Sequence, residues 1–144
     1  MSSEFSLRAA AVPESLELIH ELLEDVWAGE PGIEPMDRIR FETALIEVAS
    51  NIIEHSRPAG TDPVRFVLAV ECEPERLFAE FTDNARPAGI DLTAAELPDD
   101  MSGSGRGLAL AKVALDQFSY AKEDGGNRWT LLCRRKSTAD TATH

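Results

Sequence analysis

Strand-period and helix-period segments alternate along this chain, and that alternation predicts an α/β domain. Two helical stretches follow a short first strand, a strand pair follows them, and a third helix leads into a closing hairpin. The 144 residues are 43% hydrophobic, which suits one compact domain with a real core and leaves little room for a second. The domain is expected to span residues 1–136, with the small polar tail 137–144, STADTATH, disordered.

The elements follow in order. Glu4 to Ala10 reads as the first strand. Pro13 suits the opening turn of a helix, where its missing N–H would have had no partner. That helix runs to Gly29, with Leu16, Ile19, Leu22, Leu23, Val26 and Trp27 at helical spacing and Glu14, Glu17, Glu21, Glu24 and Asp25 on the other side. From Pro13 to Glu34 there are seven acidic residues and no Lys or Arg. Such a run is either a solvated face or a docking or dimer surface.

Pro31, Gly32 and Pro35 punctuate the chain before a second helix over Met36–Ser56, ended by Pro58 and Gly60. Its apolar arc, including Phe41, Ala44, Leu45, Val48, Ala49 and Ile52, is wider than half the circumference, which implies a largely buried helix. Glu47, Asn51 and His55 recur at i, i+4 and i+8 on the polar strip. That strip either faces a cleft or partner or is simply wet.

In the next two strands Val64, Phe66, Leu68, Val70 and Cys72, then Leu77, Ala79 and Phe81, alternate with polar residues across a turn at Glu73–Glu75. Asp83 continues the apolar parity. A carboxylate in a core-facing row needs donors, so Asp83 is either a buried structural acceptor or the recognition group of a site. Residues 85–104 form a long Pro- and Gly-bearing loop of the kind used for lids and binding segments. A strongly apolar helix starts near Gly105. Phe118–Glu123 and Asn127–Arg135 form a hairpin across Gly125 and Gly126, with Trp129, Leu131 and Cys133 on one face and Thr130 on the other.

Composition excludes several classes. With 26 Asp and Glu against 14 Lys and Arg, the formal charge is −12, which argues against a nucleic-acid surface. No apolar stretch approaches the ~20 residues of a membrane span, and the start MSSEFSLRAA lacks a signal-peptide pattern, so a cytoplasmic protein is expected. Cys72 and Cys133 sit in separate apolar runs and read as buried small hydrophobes.

The segment GSGRGLAL, residues 103–110, puts Gly103, Gly105 and Gly107 at the mouth of a helix. Exposed N–H groups there suit an anion, although a tight helix start would also use them. The spacing is not a dinucleotide fingerprint, and no G-K-[ST] follows to make a P-loop.

The ordered set EVASNIIEH (47–55), TDNARPAG (82–89) and SGSGRGLALAK (102–112) resembles the N box and the two glycine boxes of the GHKL ATPase superfamily. More closely, the chain looks like the small anti-sigma-factor serine kinases of the RsbW and SpoIIAB kind. The resemblance implies an α+β two-layer sandwich, in which one mixed, mainly antiparallel sheet is covered on one face by three helices. It implies ATP and Mg²⁺ as ligands, with a sigma factor and a STAS-type anti-sigma-factor antagonist as protein partners. Carried over by position, Glu47 would be the catalytic base and Asn51 the Mg²⁺ ligand. Asp83 would accept from the adenine amino group, Thr130 would help bind the adenine edge, and Gly89, Gly103, Gly105, Arg106, Gly107 and Leu108 would complete the ATP site. The first glycine box departs from D-x-G by having Ala85, which is tolerable only where φ is negative. Members of this kind often form homodimers. The alternative expectation is a non-catalytic, nucleotide-regulated binding module of the same fold.

Overall fold

A computed structural model describes residues 3–88 and 104–136. The order is β1 (Ser3–Ala10), α1 (Ser15–Gly29), α2 (Pro35–His55), β2 (Arg65–Cys72), β3 (Arg76–Asp83), α3 (Ser104–Ala114), β4 (Gln117–Glu123) and β5 (Gly126–Arg134). The strands make one sheet in the order β1-β2-β3-β5-β4. Every ladder among them is antiparallel, so the expected mixed sheet is uniformly antiparallel among the described residues. The loop and α3 carry the chain from β3 past one strand position to β4, and β5 then folds back between them.

Period-2 alternation builds the core. Phe66, Leu68, Val70 and Cys72 of β2, Leu77, Ala79 and Phe81 of β3, and Trp129, Leu131 and Cys133 of β5 are all buried on the face that the helices cover. The helices lie side by side: α1 packs over β1, α2 over β5 and β3, and α3 against α2 and β4. Phe41, Ala44, Leu45, Val48 and Ala49 of α2 are inaccessible to solvent, as the broad apolar arc requires.

Two local features differ from the sequence reading. The β4–β5 turn is Asp124–Gly125, because Glu123 pairs with Gly126. Among the described residues only Gly125 is left-handed, at φ 82°, the pattern of a type II turn. Gly126 belongs to β5, and a Cβ there would overlap the carbonyl oxygen of Asp83. The second feature is Asp37, fully buried in the first turn of α2. It accepts from Arg40 Nη1 at 3.2 Å and from the Lys136 N–H at 2.8 Å. Arg40 in turn donates to the Ala114 carbonyl at 3.0 Å and to Asp116 at 3.1 Å, tying α2 to the end of α3 and to the last strand.

Candidate functional site

At its C-terminal half, α2 borders a cleft of about 150 Å³. Asn51 and His55 line it from the helix, Asp83 from the end of β3, Asn127 and Trp129 from β5, and Ala88 from the start of the loop. The cleft exists because the polar strip of α2 passes over the one corner of the sheet where the core-facing rows end in polar residues.

Asp83 is held from three sides. Its Oδ1 accepts from the Ala85 N–H at 2.9 Å and from Asn127 Nδ2 at 2.8 Å, while Oδ2 faces Trp129 Nε1 at 3.3 Å. Oδ2 therefore keeps acceptor capacity toward the cleft, and an ionised carboxylate accepts only. A purine amino group is the complementary donor. No described non-glycine residue has positive φ, so Ala85 adopts the box without strain. Its methyl is buried and only 1% exposed.

Asn127 is the member that sequence reasoning missed. It is 3% exposed, donates to Asp83 and to the Arg86 carbonyl at 2.9 Å, and accepts from the Ala88 N–H at 3.2 Å and from the Tyr120 hydroxyl. Its signal was available: Asn127 continues the parity of Trp129, Leu131 and Cys133 as Asp83 continues that of Phe81, and the two are register partners. Thr130 requires a correction. Strand alternation turns it to the sheet face opposite the helices, in register with Glu80 and Ser119, away from Asp83. Asn127 occupies the position on β5 from which a side chain reaches the cleft.

Asn51 is 7% exposed, and its Oδ1 is a buried acceptor with no hydrogen-bond donor among the described residues. Such an atom is costly unless a ligand completes it. A hard cation such as Mg²⁺, which takes oxygen ligands, fits that acceptor. One turn earlier, Glu47 is half-buried against α3: a Cβ on Gly107 would stand 2.5 Å from Glu47 Oε2. Gly107 thus permits the close approach of the carboxylate to the helix start. Leu108 is 2% exposed and packs in the core; it anchors α3 without lining the cleft. Gly105 and Arg106 fall in the first turn of α3, but their side chains, like Gly89 and Gly103, lie outside the described residues. Lys112 is solvent-exposed on α3.

These parts bring together on one side of the sheet a carboxylate with spare acceptor capacity, an amide oxygen without a donor among the described residues, and a glycine in the first turns of a helix. Residues 9–132 match the model of the histidine kinase-like ATPase domain, and the chain belongs to that family within the GHKL superfamily. Among solved structures it is similar to the RsbU and RsbW domains of Rv1364c from Mycobacterium tuberculosis, at 18% identity and a TM-score of 0.64. That match covers 92% of this chain and 32% of the other, so the chain spans about a third of its solved neighbour. No curated protein matches the chain.

Proposed function

We propose that the protein is an ATP-dependent protein-serine kinase that also acts as an anti-sigma factor in the cytoplasm. In this reading it sequesters a sigma factor and phosphorylates a serine of a STAS-type antagonist that competes for it. The observation that carries the reading is the pairing on one face of α2 of an orphaned amide oxygen, Asn51 Oδ1, with a carboxylate one turn away, Glu47, against Gly107. Phosphoryl transfer needs little covalent help from a protein: it needs positioning, charge neutralisation and an acceptor for the hydroxyl proton. Glu47 takes that proton as the serine Oγ–P bond forms and the bond to the β,γ-bridging oxygen breaks. Asn51 would hold Mg²⁺ through Oδ1, and the bound cation would neutralise charge on the phosphate oxygens. Asp83, fixed by Asn127 and Trp129, selects the base, and the backbone at Gly105 and Gly107 meets phosphate at the positive end of α3.

The first test is a calorimetric titration with ATP and ADP, with and without Mg²⁺, using Asp83→Asn as control. Mg²⁺-dependent binding that the control loses is the expected result, followed by transfer of γ-phosphate to a serine of the antagonist. Absence of binding in every condition would overturn the kinase reading and leave the chain a binding module of the same fold.

A further inference from the structure

The carboxylate of Asp83 is braced by a residue that does not line the cleft. Asp83 Oδ1 accepts from Asn127 Nδ2 at 2.8 Å, and Oδ2 faces Trp129 Nε1 at 3.3 Å. The direction in which Oδ2 offers its remaining lone pair depends on rotation about the Asp83 Cβ–Cγ bond, and these two side-chain donors help to set that rotation. Both of them rest on Tyr120 of β4, the chain's single tyrosine. Tyr120 is the register partner of Trp129, and their ring centroids lie 4.7 Å apart with the planes at 50°. Its hydroxyl donates to Asn127 Oδ1.

A side-chain amide can sit in either of two orientations related by a half-turn, and the neighbours of Asn127 choose one. Nδ2 points at acceptors, Asp83 Oδ1 and the Arg86 carbonyl at 2.9 Å. Oδ1 points at donors, the Tyr120 hydroxyl and the Ala88 N–H at 3.2 Å. The reversed amide would set its oxygen against a carboxylate and a carbonyl, which is costly at a residue only 3% exposed. The hydroxyl serves this side twice, because it also accepts from the Ala88 N–H at 2.8 Å, closer than that N–H stands to Oδ1. Without the hydroxyl both of these bonds vanish, and the longer contact from Ala88 alone holds the oxygen. A phenylalanine at this position would keep the ring against Trp129 and lose only those two bonds.

We propose that Tyr120 is a positioning residue for the base: through Asn127 it fixes the direction in which Asp83 presents its acceptor to a purine amino group. The inference rests on the reading of Asp83 as the base acceptor and adds to it a residue from the far side of β5, since the strands run β3-β5-β4. Tyr120 stands apart from the other end of the cleft, where α2 carries Asn51 and Glu47. Its influence is therefore confined to one bond of the ligand, the one made by the exocyclic amino group of the base.

The test compares, by calorimetry with Mg²⁺, the binding of ATP and of purine riboside triphosphate, which carries hydrogen where ATP carries the amino group. The proteins are the intact chain, Tyr120→Phe, Asn127→Ala and the double variant, with thermal melting as the fold control. The parent is expected to prefer ATP. Tyr120→Phe should weaken ATP binding about threefold to tenfold, the range of one neutral hydrogen bond, and leave the analogue's affinity unchanged. In the Asn127→Ala background the same substitution should cost nothing further, because the hydroxyl acts through that amide. A second readout needs no nucleotide: the Asn127 side-chain amide protons should exchange with solvent faster in Tyr120→Phe than in the parent. Unaltered ATP binding, equal losses for ATP and the analogue, an effect undiminished without Asn127, or unaltered amide exchange would overturn the proposal and leave Asp83 in its role. A parent that binds both nucleotides alike, or neither, would instead overturn the reading of Asp83 and the proposal with it.

Discussion

The two ends of α2 carry buried polar groups of opposite character. At the N-terminal end Asp37, Arg40 and Asp116 form a closed network: both oxygens of the fully buried Asp37 are engaged, Arg40 reaches three acceptors, and the Arg134 N–H donates to Asp116 at 2.6 Å. At the C-terminal end Asn51 keeps an orphan oxygen and Asp83 keeps acceptor capacity toward an open cleft. A buried group with all its partners locks structure, whereas one lacking a partner is stable only because something else supplies it. The contrast separates architecture from function along a single helix.

That contrast can be broken by mutation, and the largest effect is expected at Glu47. Glu47→Gln should slow γ-phosphate transfer about 100-fold or more in a single-turnover assay while leaving the melting temperature unchanged. Equal rates would remove Glu47 from the chemistry. At the closed end, Asp37→Ala strands Arg40 and the Lys136 N–H, and should cost about 3 kcal/mol in urea denaturation. A loss below about 1 kcal/mol would show that the network is not a lock.

Asn51→Leu sharpens the comparison because its sign is opposite. Removing an unsatisfied buried oxygen should leave the ligand-free fold as stable or slightly more so, while Mg²⁺-dependent nucleotide binding disappears from calorimetry. Destabilisation comparable to that of Asp37→Ala would mean that Asn51 is structural. The smallest effect concerns the thiols. Burial is the main cause that pushes Cys72 and Cys133 from 9.0 up to about 11. A folded-state value above the unfolded one favours the protonated form in the fold, so this contribution is complete below pH ~9 and lost as pH rises toward about 11. Cys72→Ala/Cys133→Ala should flatten the alkaline limb of the stability profile, and an unchanged limb would exclude the thiols as its source.

Much of this was legible in the sequence. The strands of the sheet alternate cleanly, so their inner rows could be read directly, and with them the departure of Asp83 from its row. The breadth of the apolar arc on α2 marked a buried helix, and the spacing of its polar strip marked Glu47 and Asn51. Asn127 is not legible as a site residue because the sequence places it at the strand start, beside the Gly125–Gly126 turn, whereas β5 begins at Gly126. The sequence reads Gly126 as a turn residue, and only the proximity of the Asp83 carbonyl shows why a strand position must be glycine. Thr130 was misplaced for the complementary reason: matching a motif by residue type ignores which face of the strand that residue occupies.

The sequence by itself determined the elements, their inner faces and the family to which the ordered boxes point, because period, punctuation and composition are local and need no partner to be read. The tertiary structure alone decided that β5 lies between β3 and β4, that Asn127 meets Asp83, that Gly107 admits the carboxylate of Glu47, and that β1 lies at the edge of the sheet. Each of these depends on which distant segment lies alongside. Strand order and ladder phase are fixed by packing the whole chain into one core, so no local pattern encodes them.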